Sequence, residues 1–311
     1  MWGIDSDQLF RELTPRVEHL VDRHLSASRE WFPHEMIPWE RASAKTGDPQ
    51  WDPAESELSE GARAALEVNL LTEDNLPYYF REGKAAFGLG EVWEFWMRRW
   101  TAEEARHSVA IRDYVTVTRA IDPVALERDR MTQMTTGWTL DADSPLEGLV
   151  YVSLQELATR HSHRNTGLAM ADKAGYDVLA RVAADENLHH RFYRDVVEAA
   201  IEADPSAVVE AIDVQVPKFE MPGYGIPRFS ERAAAIAREG IYDFAIHLEH
   251  ILLPVLKKNW RLEALTGLTA DAERARDRVL RYLTRLERVA GRLKERRAAS
   301  CDGSDAEPAP V

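Results

Sequence analysis

The chain has 311 residues, 45% of them hydrophobic and 30% charged, with 16 Gly and 15 Pro; this is the composition of a globular protein with a real core, not of a disordered or fibrous one. A formal charge of −14 excludes a protein that coats nucleic acid with a basic surface. The single cysteine, Cys301, excludes an internal disulfide and any site built on several thiolates, and no run approaches the ~20 apolar residues needed to span a bilayer.

The opening Met-Trp-Gly-Ile-Asp-Ser-Asp has neither the basic nor the apolar region of a secretory signal, so the expected location is cytoplasmic. Helical periodicity follows through most of the chain, and strand signals are scarce. An amphipathic helix is predicted over 8–25. The segment 26–60 is loop-rich, carrying Trp31, Pro33, Pro38, Trp39, Pro49, Trp51 and Pro53. Further helices are predicted over 58–82, 90–119, 145–170, 175–203, 205–215, 229–251 and 271–297. Turns are expected at Asp122-Pro123, Asp143-Ser144-Pro145, Asp204-Pro205 and Met221-Pro222-Gly223. Ser144-Pro145-Leu146-Glu147 reads as a helix start: a capping hydroxyl, a proline at the first position and an acid in the first turn. No Pro/Gly/Ser-rich linker divides the chain, so one all-α domain is expected over 1–298, followed by a disordered tail over 299–311. Between Lys257 and Ala298 there are 13 Lys/Arg and 6 Asp/Glu, a local balance of +7. That segment reads either as a solvated basic helix or as a docking surface for an acidic partner.

The informative residues are acids on apolar helix faces. One face runs Trp93, Trp96, Met97, Trp100, Glu104, His107, Ile111, Val115, and another runs Leu179, Val182, Ala183, Glu186, His189, Tyr193, Val196, Val197. Each is a core stripe broken only by a carboxylate and an imidazole one turn apart. Two more faces carry one acid each: Leu66, Asn69, Leu70, Glu73, Leu76, Phe80, and Leu149, Val152, Ser153, Glu156, Thr159, His163. A carboxylate buried without a partner costs several kcal/mol, so four such helices call for a common cause. Glu-x-x-His puts both side chains on one face, able to bind one centre. Glu73 precedes Glu104 by 31 residues and Glu156 precedes Glu186 by 30, intervals that return the acids to one height in antiparallel helices rising ~1.5 Å per residue. The unit Glu…Glu-x-x-His therefore occurs twice, as in a four-helix bundle around a dinuclear carboxylate site. Four carboxylates and two neutral imidazoles carry −4, which two divalent cations cancel. Oxygen and imidazole donors without thiolate suit Fe or Mn, and iron brings O2 chemistry. Buried Glu–His hydrogen bonds without metal would account for the same residues in another way.

At these residues the chain resembles the soluble acyl-[acyl-carrier-protein] desaturases, particularly their actinobacterial branch. The resemblance rests on Thr-Glu-Asp-Asn-Leu-Pro (72–77), Trp-Thr-Ala-Glu-Glu-Ala-Arg-His (100–107), Gln-Glu-Leu-Ala-Thr (155–159), His-Arg-Asn-Thr (163–166) and Asp-Glu-Asn-Leu-His (185–189). Trp31-Phe-Pro-His-Glu-Met-Ile-Pro and Leu265-Thr-Gly-Leu carry it toward both ends, over roughly residues 8–297. It implies a ferritin-like four-helix bundle with additional flanking helices and a carboxylate-bridged di-iron site. Glu104 and Glu186 would bridge the two irons, with Glu73, Glu156, His107 and His189 as terminal ligands. Thr159 matches a threonine beside the O2 site, Asp185 an acid that orients a ligand histidine, and Trp31 a tryptophan on the side where electrons enter. Trp31 also reads as a packing aromatic, and Thr159 as a residue bonded back to its own helix. Ala105 and Asn187-Leu188 depart from the plant pattern, and the hairpin between Glu73 and Glu104 is shorter than in the plant enzymes.

The implied reaction is O2- and ferredoxin-dependent formation of a cis double bond in an acyl chain held on acyl carrier protein, by a homodimer. The basic segment with Lys257, Lys258 and Arg261 is the expected carrier contact, and Phe80, Trp96, Trp100 and Leu168 are candidates to line an acyl cavity or belong to the core. Two other classes use the same ligands: a di-iron hydroxylase or N-oxygenase, and a ferritin-like iron store.

Overall fold

The computed structural model describes residues 6–87, 90–223 and 225–302 of the protein. In chain order the helices are α1 (Ser6–Ala27), α2 (Pro33–Met36), α3 (Glu60–Glu73), α4 (Leu76–Phe87), α5 (Glu91–Thr118) and α6 (Pro123–Thr136). They continue with α7 (Pro145–Ala169), α8 (Lys173–Ala203), α9 (Pro205–Lys218), α10 (Phe229–Arg238), α11 (Phe244–Ile246) and α12 (Ala270–Asp302). No strand occurs among the described residues.

Four helices close a ring: α3 packs on α5 and α7, and α8 packs on the same two. Side-chain caps begin three of them, with Ser59 Oγ accepting from Ala62 N at 3.1 Å, Ser144 Oγ from Glu147 N at 3.2 Å and Asp172 Oδ2 from Gly175 N at 3.0 Å. Such caps stabilise a helix by about 1 kcal/mol each. Inside the ring the core is split. Trp93, Trp96, Met97, Leu154, Phe192 and Val196 belong to one apolar cluster, and Leu66, Leu70, Ile111, Val115 and Leu179 to another. The Glu-x-x-His segments of α5 and α8 lie between the two, so the polar residues form one band across the bundle. Outside it, α1 packs on α5 and α8, α4 on α5 and α7, and α9 on α7, α8 and α12.

Four expectations are corrected. The predicted helix over 58–82 is two helices, because Pro77 lacks an N–H and its ring clashes with the carbonyl four residues back, that of Glu73. Asp74 then anchors the break, accepting from Ser108 Oγ at 2.5 Å, Arg112 at 2.7 Å and Arg130 at 2.9 Å. The predicted helix over 229–251 ends at Arg238, where Gly240, at φ 71°, closes a Schellman motif. Its two bonds run from Ile241 N to Ile236 O at 3.1 Å and from Gly240 N to Ala237 O at 3.2 Å. The chain resumes at α11, which passes into π-helical turns over His247–Leu252 and Pro254–Asn259. Asp122-Pro123, expected as a turn alone, starts α6: Asp122 caps Val124 N and Ala125 N at 2.9 and 3.1 Å, with Pro123 in the first turn. α6 has only two fully buried residues, Leu126 and Gln133, which is why it carries no clear apolar stripe. Finally, α12 continues to Asp302, past the predicted end at 297; the remainder of the expected tail, 303–311, lies outside the described residues.

Candidate metal centre

The band between the two apolar clusters gathers all six residues singled out as ligands. Glu73, Glu104, Glu156 and Glu186 are 1–6% exposed, and His107 and His189 are 0% exposed. They fall into two groups of four, Glu73, Glu104, His107 and Glu186, and Glu104, Glu156, Glu186 and His189, in each of which one donor atom per residue lies within 4.8 Å of the others. Glu104 and Glu186 belong to both groups. His107 Nδ1 is 3.3 Å from Glu104 Oε2, 3.3 Å from Glu186 Oε1 and 3.7 Å from Glu73 Oε2. His189 Nδ1 is 2.8 Å from Glu104 Oε1 and 3.6 Å from Glu156 Oε2.

The atoms on the far side of these groups are tied down. Glu73 Oε1 faces His163 Nε2 at 2.8 Å, Glu156 Oε1 accepts from Trp100 Nε1 at 3.0 Å, and Glu186 Oε2 accepts from Thr159 Oγ1 at 3.1 Å. His189 Nε2 bonds Glu103 Oε2 at 2.9 Å, while His107 Nε2 lies 3.5 Å from Asp185 Oδ2. The inward atoms are different: Glu104 Oε1, Glu156 Oε2 and both Nδ1 atoms are buried without an aligned hydrogen bond. Buried polar atoms are almost always partnered, so a set that converges, anchored outside and orphaned inside, fits cations. At His189 the Glu103 carboxylate on Nε2 also fixes the tautomer that turns the Nδ1 lone pair inward, whereas His107 Nε2 has no aligned hydrogen bond.

The electrostatics of the protein groups alone agree. Burial and the Glu186 charge push the Glu156 carboxyl well above its ordinary value. At Glu186 burial acts the same way but is outweighed by the adjacent His107 and His189 imidazoles, which hold it well below. At His107 burial acts downward and is outweighed by Glu104 and Asp185, which raise it well above the usual imidazole range.

The remaining predicted residues stand around this centre. Trp31, 8% exposed, donates from Nε1 to Asp185 Oδ2 at 2.8 Å and stacks on His107 at 6.4 Å between ring centres. Arg106 lies over its ring at 4.9 Å, so Trp31 packs between charged groups and hydrogen-bonds to one of them. Thr159 bonds back to its own helix at Glu156 O, 3.0 Å, as well as to Glu186 Oε2. Sequence reasoning gave no role to Glu103, His24 or His163, and named Trp100 only as a cavity or core residue, not as a hydrogen-bond donor to Glu156. His163 and Trp100 stood on the ligand stripes, which was a signal. Glu103 carried only its place between Arg99 and Glu104, yet it is 3% exposed and holds both His189 and His24, the latter at 2.8 Å.

A narrow cleft opens onto the carboxylates, with about 640 Å³ between its walls when the mouth is counted. Phe87, Met97, Trp100, Val152 and Tyr193 make its walls largely apolar, and Thr72, Glu73, Glu104, Glu156, Thr159 and Glu186 close its inner side. Of the cavity candidates only Trp100 lines it. Trp96 stacks on Phe192 at 3.6 Å, Phe80 packs against the core, and Leu168 is 58% exposed on the surface.

The sequence profile of the family described as fatty acid desaturase matches residues 5–306. The chain belongs to that family. It is 43% identical over 290 residues to DesA1 of Mycobacterium tuberculosis, named for acyl-[acyl-carrier-protein] desaturation, with 90% of this chain and 86% of that protein covered. It is 29% identical over 324 residues to the chloroplastic stearoyl-[acyl-carrier-protein] 9-desaturase of Ricinus communis, covering 93% and 78%. The solved structure of DesA2 from M. tuberculosis superposes with a TM-score of 0.69 at 27% identity, over 82% of this chain and 96% of that one. The protein is thus a desaturase by family, an oxidoreductase acting on fatty acyl chains, and the fold expected from the resemblance is the fold observed. No helix among the described residues is long and apolar enough to cross a membrane.

Proposed function

We propose that the protein introduces a cis double bond into an acyl chain carried on acyl carrier protein, using two irons, O2 and electrons from a ferredoxin-type donor. The observation that carries this reading is the pair of donor groups sharing Glu104 and Glu186 at the inner side of an apolar cleft. Glu104 and Glu186 would bridge the two ions, Glu73 and His107 completing one and Glu156 and His189 the other. Ferrous ions held there supply O2 activation when bound.

The chain's own residues do the rest. The apolar walls hold the alkyl chain against the carboxylates and exclude water. Thr159 Oγ1, 3.1 Å from Glu186 Oε2, offers a hydroxyl proton on the cleft side. Asp185 holds the Trp31 indole and faces the His107 ring, joining the surface side of the site to its centre. The same reading carries a homodimer and a cytoplasmic location. For the carrier contact it leaves Lys258 and Arg261 exposed, whereas Lys257 is engaged by Glu287 at 3.1 Å and Arg278 by Asp213.

The test is turnover of the iron-loaded protein with a reduced ferredoxin and a series of saturated acyl carrier proteins, the products analysed by mass spectrometry. A mass loss of two hydrogens with a cis olefin supports the proposal. An added oxygen atom would make the protein a hydroxylase, and release of a free-acid product without either change would reject both.

A further inference from the structure

In the cleft the hydroxyl of Tyr79 is buried without an aligned hydrogen bond. Tyr79 lines the cleft from α4, and although the residue is half-buried, its Oη is shielded from solvent. One turn earlier both amide atoms of Asn75, 0% exposed, are likewise without an aligned hydrogen bond; the Asn75 amide is the one hydrogen-bonding group near enough to act on the Tyr79 hydroxyl, which it lowers against the larger effect of burial. Trp138 packs edge-on against the tyrosine ring at 5.0 Å and helps hold it in place. The neighbouring hydroxyl of Tyr151 is already spent on Glu220 O at 3.1 Å. Burial pushes the Tyr79 hydroxyl well above its ordinary value, so it stands as a donor.

Buried donors of this kind are rarely left unmade, and an alkyl chain offers no acceptor. The cleft also has a direction. Tyr79, Trp138 and Tyr151 form a half-buried rim, whereas Phe87, Met97, Gly148 and Tyr193 at the other end are buried. A chain tethered to a carrier keeps its tethered end at the rim and sends its methyl end inward. The only acceptor of an acyl thioester lies at that tethered end.

We propose that Tyr79 positions the substrate, its hydroxyl donating to the carbonyl oxygen of the bound acyl thioester and thereby fixing which pair of methylenes lies against the carboxylates. The inference rests on the acyl-carrier reading, and its test separates the two. Calorimetry of the iron-loaded protein compares an S-acyl pantetheine thioester with an S-alkyl pantetheine thioether of equal chain length, which lacks the carbonyl. The wild type should bind the thioester about tenfold more tightly, a difference of about 1.4 kcal/mol and in the range of one neutral hydrogen bond. Tyr79→Phe should bind both equally, at the wild-type affinity for the thioether, and should yield a mixture of double-bond positions on turnover. A thioester preference retained by Tyr79→Phe, or absent from the wild type, overturns the role of Tyr79 while leaving the acyl reading in place. Binding of neither ligand to the wild type overturns both.

Discussion

Replacing Glu103 tests how the centre is held. Its carboxylate accepts from His24 Nε2 at 2.8 Å and faces His189 Nε2 at 2.9 Å, and it pairs with Arg99 at the surface side. Glu103→Ala leaves two buried imidazole N–H groups without an acceptor, each costing about 1–3 kcal/mol. The loss of Arg99 adds less than about 1 kcal/mol, because its side chain is partly in water. Together these predict destabilisation by about 2–7 kcal/mol, a large share of the ~5–15 kcal/mol of a folded domain. Both imidazoles share Glu103 Oε2, so Glu103→Gln can keep that acceptor as an amide oxygen but loses the charge and turns an NH2 toward Arg99, and about 1–3 kcal/mol is expected. In the Gln variant the affinity of the group containing His189 for ferrous iron should fall roughly 10–100-fold, the usual cost of losing the partner of a ligand histidine. Burial raises the Glu103 carboxyl, but hydrogen bonds from His189 and His24 outweigh it and hold it far below the usual range. Its contribution is therefore present above its unfolded pKa of about 4.3 and is lost as pH falls below that value. Urea unfolding at pH 7 and anaerobic ferrous titration measure both effects. Variants within about 0.5 kcal/mol of wild type, with unchanged iron affinity, would refute the positioning role of Glu103.

Other outcomes follow from single contacts. Trp31→Phe removes the indole donor to Asp185 and should leave iron content intact while slowing reduction of the site, read by stopped-flow absorbance; an unchanged rate would detach Trp31 from electron delivery. A side chain at Gly148 would meet Leu140 at 3.2 Å and Phe87 at 3.3 Å from its Cβ, so Gly148→Val should shorten the cleft and shift turnover toward shorter acyl chains in a competition assay. Burial pulls the His247 imidazole down to about 4, so the unfolded chain binds the extra proton between about pH 6.5 and 4. Stability should fall by up to about 2 kcal/mol from pH 7 to 5 on this account, and His247→Gln should flatten that slope in urea midpoints. Lys258→Ala with Arg261→Ala should weaken carrier binding several-fold at low salt and reduce its salt dependence; unchanged binding would move the docking surface elsewhere.

The candidate ligands were legible in the sequence because burial makes a carboxylate conspicuous: Glu73, Glu104, Glu156 and Glu186 interrupt stripes that are otherwise core. Their supports were less so. Glu103 sits beside Glu104 and looks, in sequence, like the solvent face of the same helix; only the docking of α1, which brings His24 against it, makes it interior. His163 was visible on its stripe but ambiguous, since a lone imidazole fits a core as well as a site. Helix ends followed local chemistry where caps were strong, as at Ser144, and failed where apolar periodicity ran across a break. Pro77 and Gly240 each stop a helix whose pattern continues beyond them. The cleft was the least legible element, because its walls come from α4, α5, α7, α8 and two loops, and nothing local distinguishes Trp100, which lines it, from Trp96, which does not.

The central claim is that the buried band binds two metal ions. Anaerobic titration with ferrous iron, followed by admission of O2 and a visible spectrum, tests it most directly. The account predicts two irons per chain and a new visible absorption, with neither ion retained at wild-type affinity in Glu104→Ala or Glu186→Ala. A well-folded helical protein that binds one iron or none would contradict it.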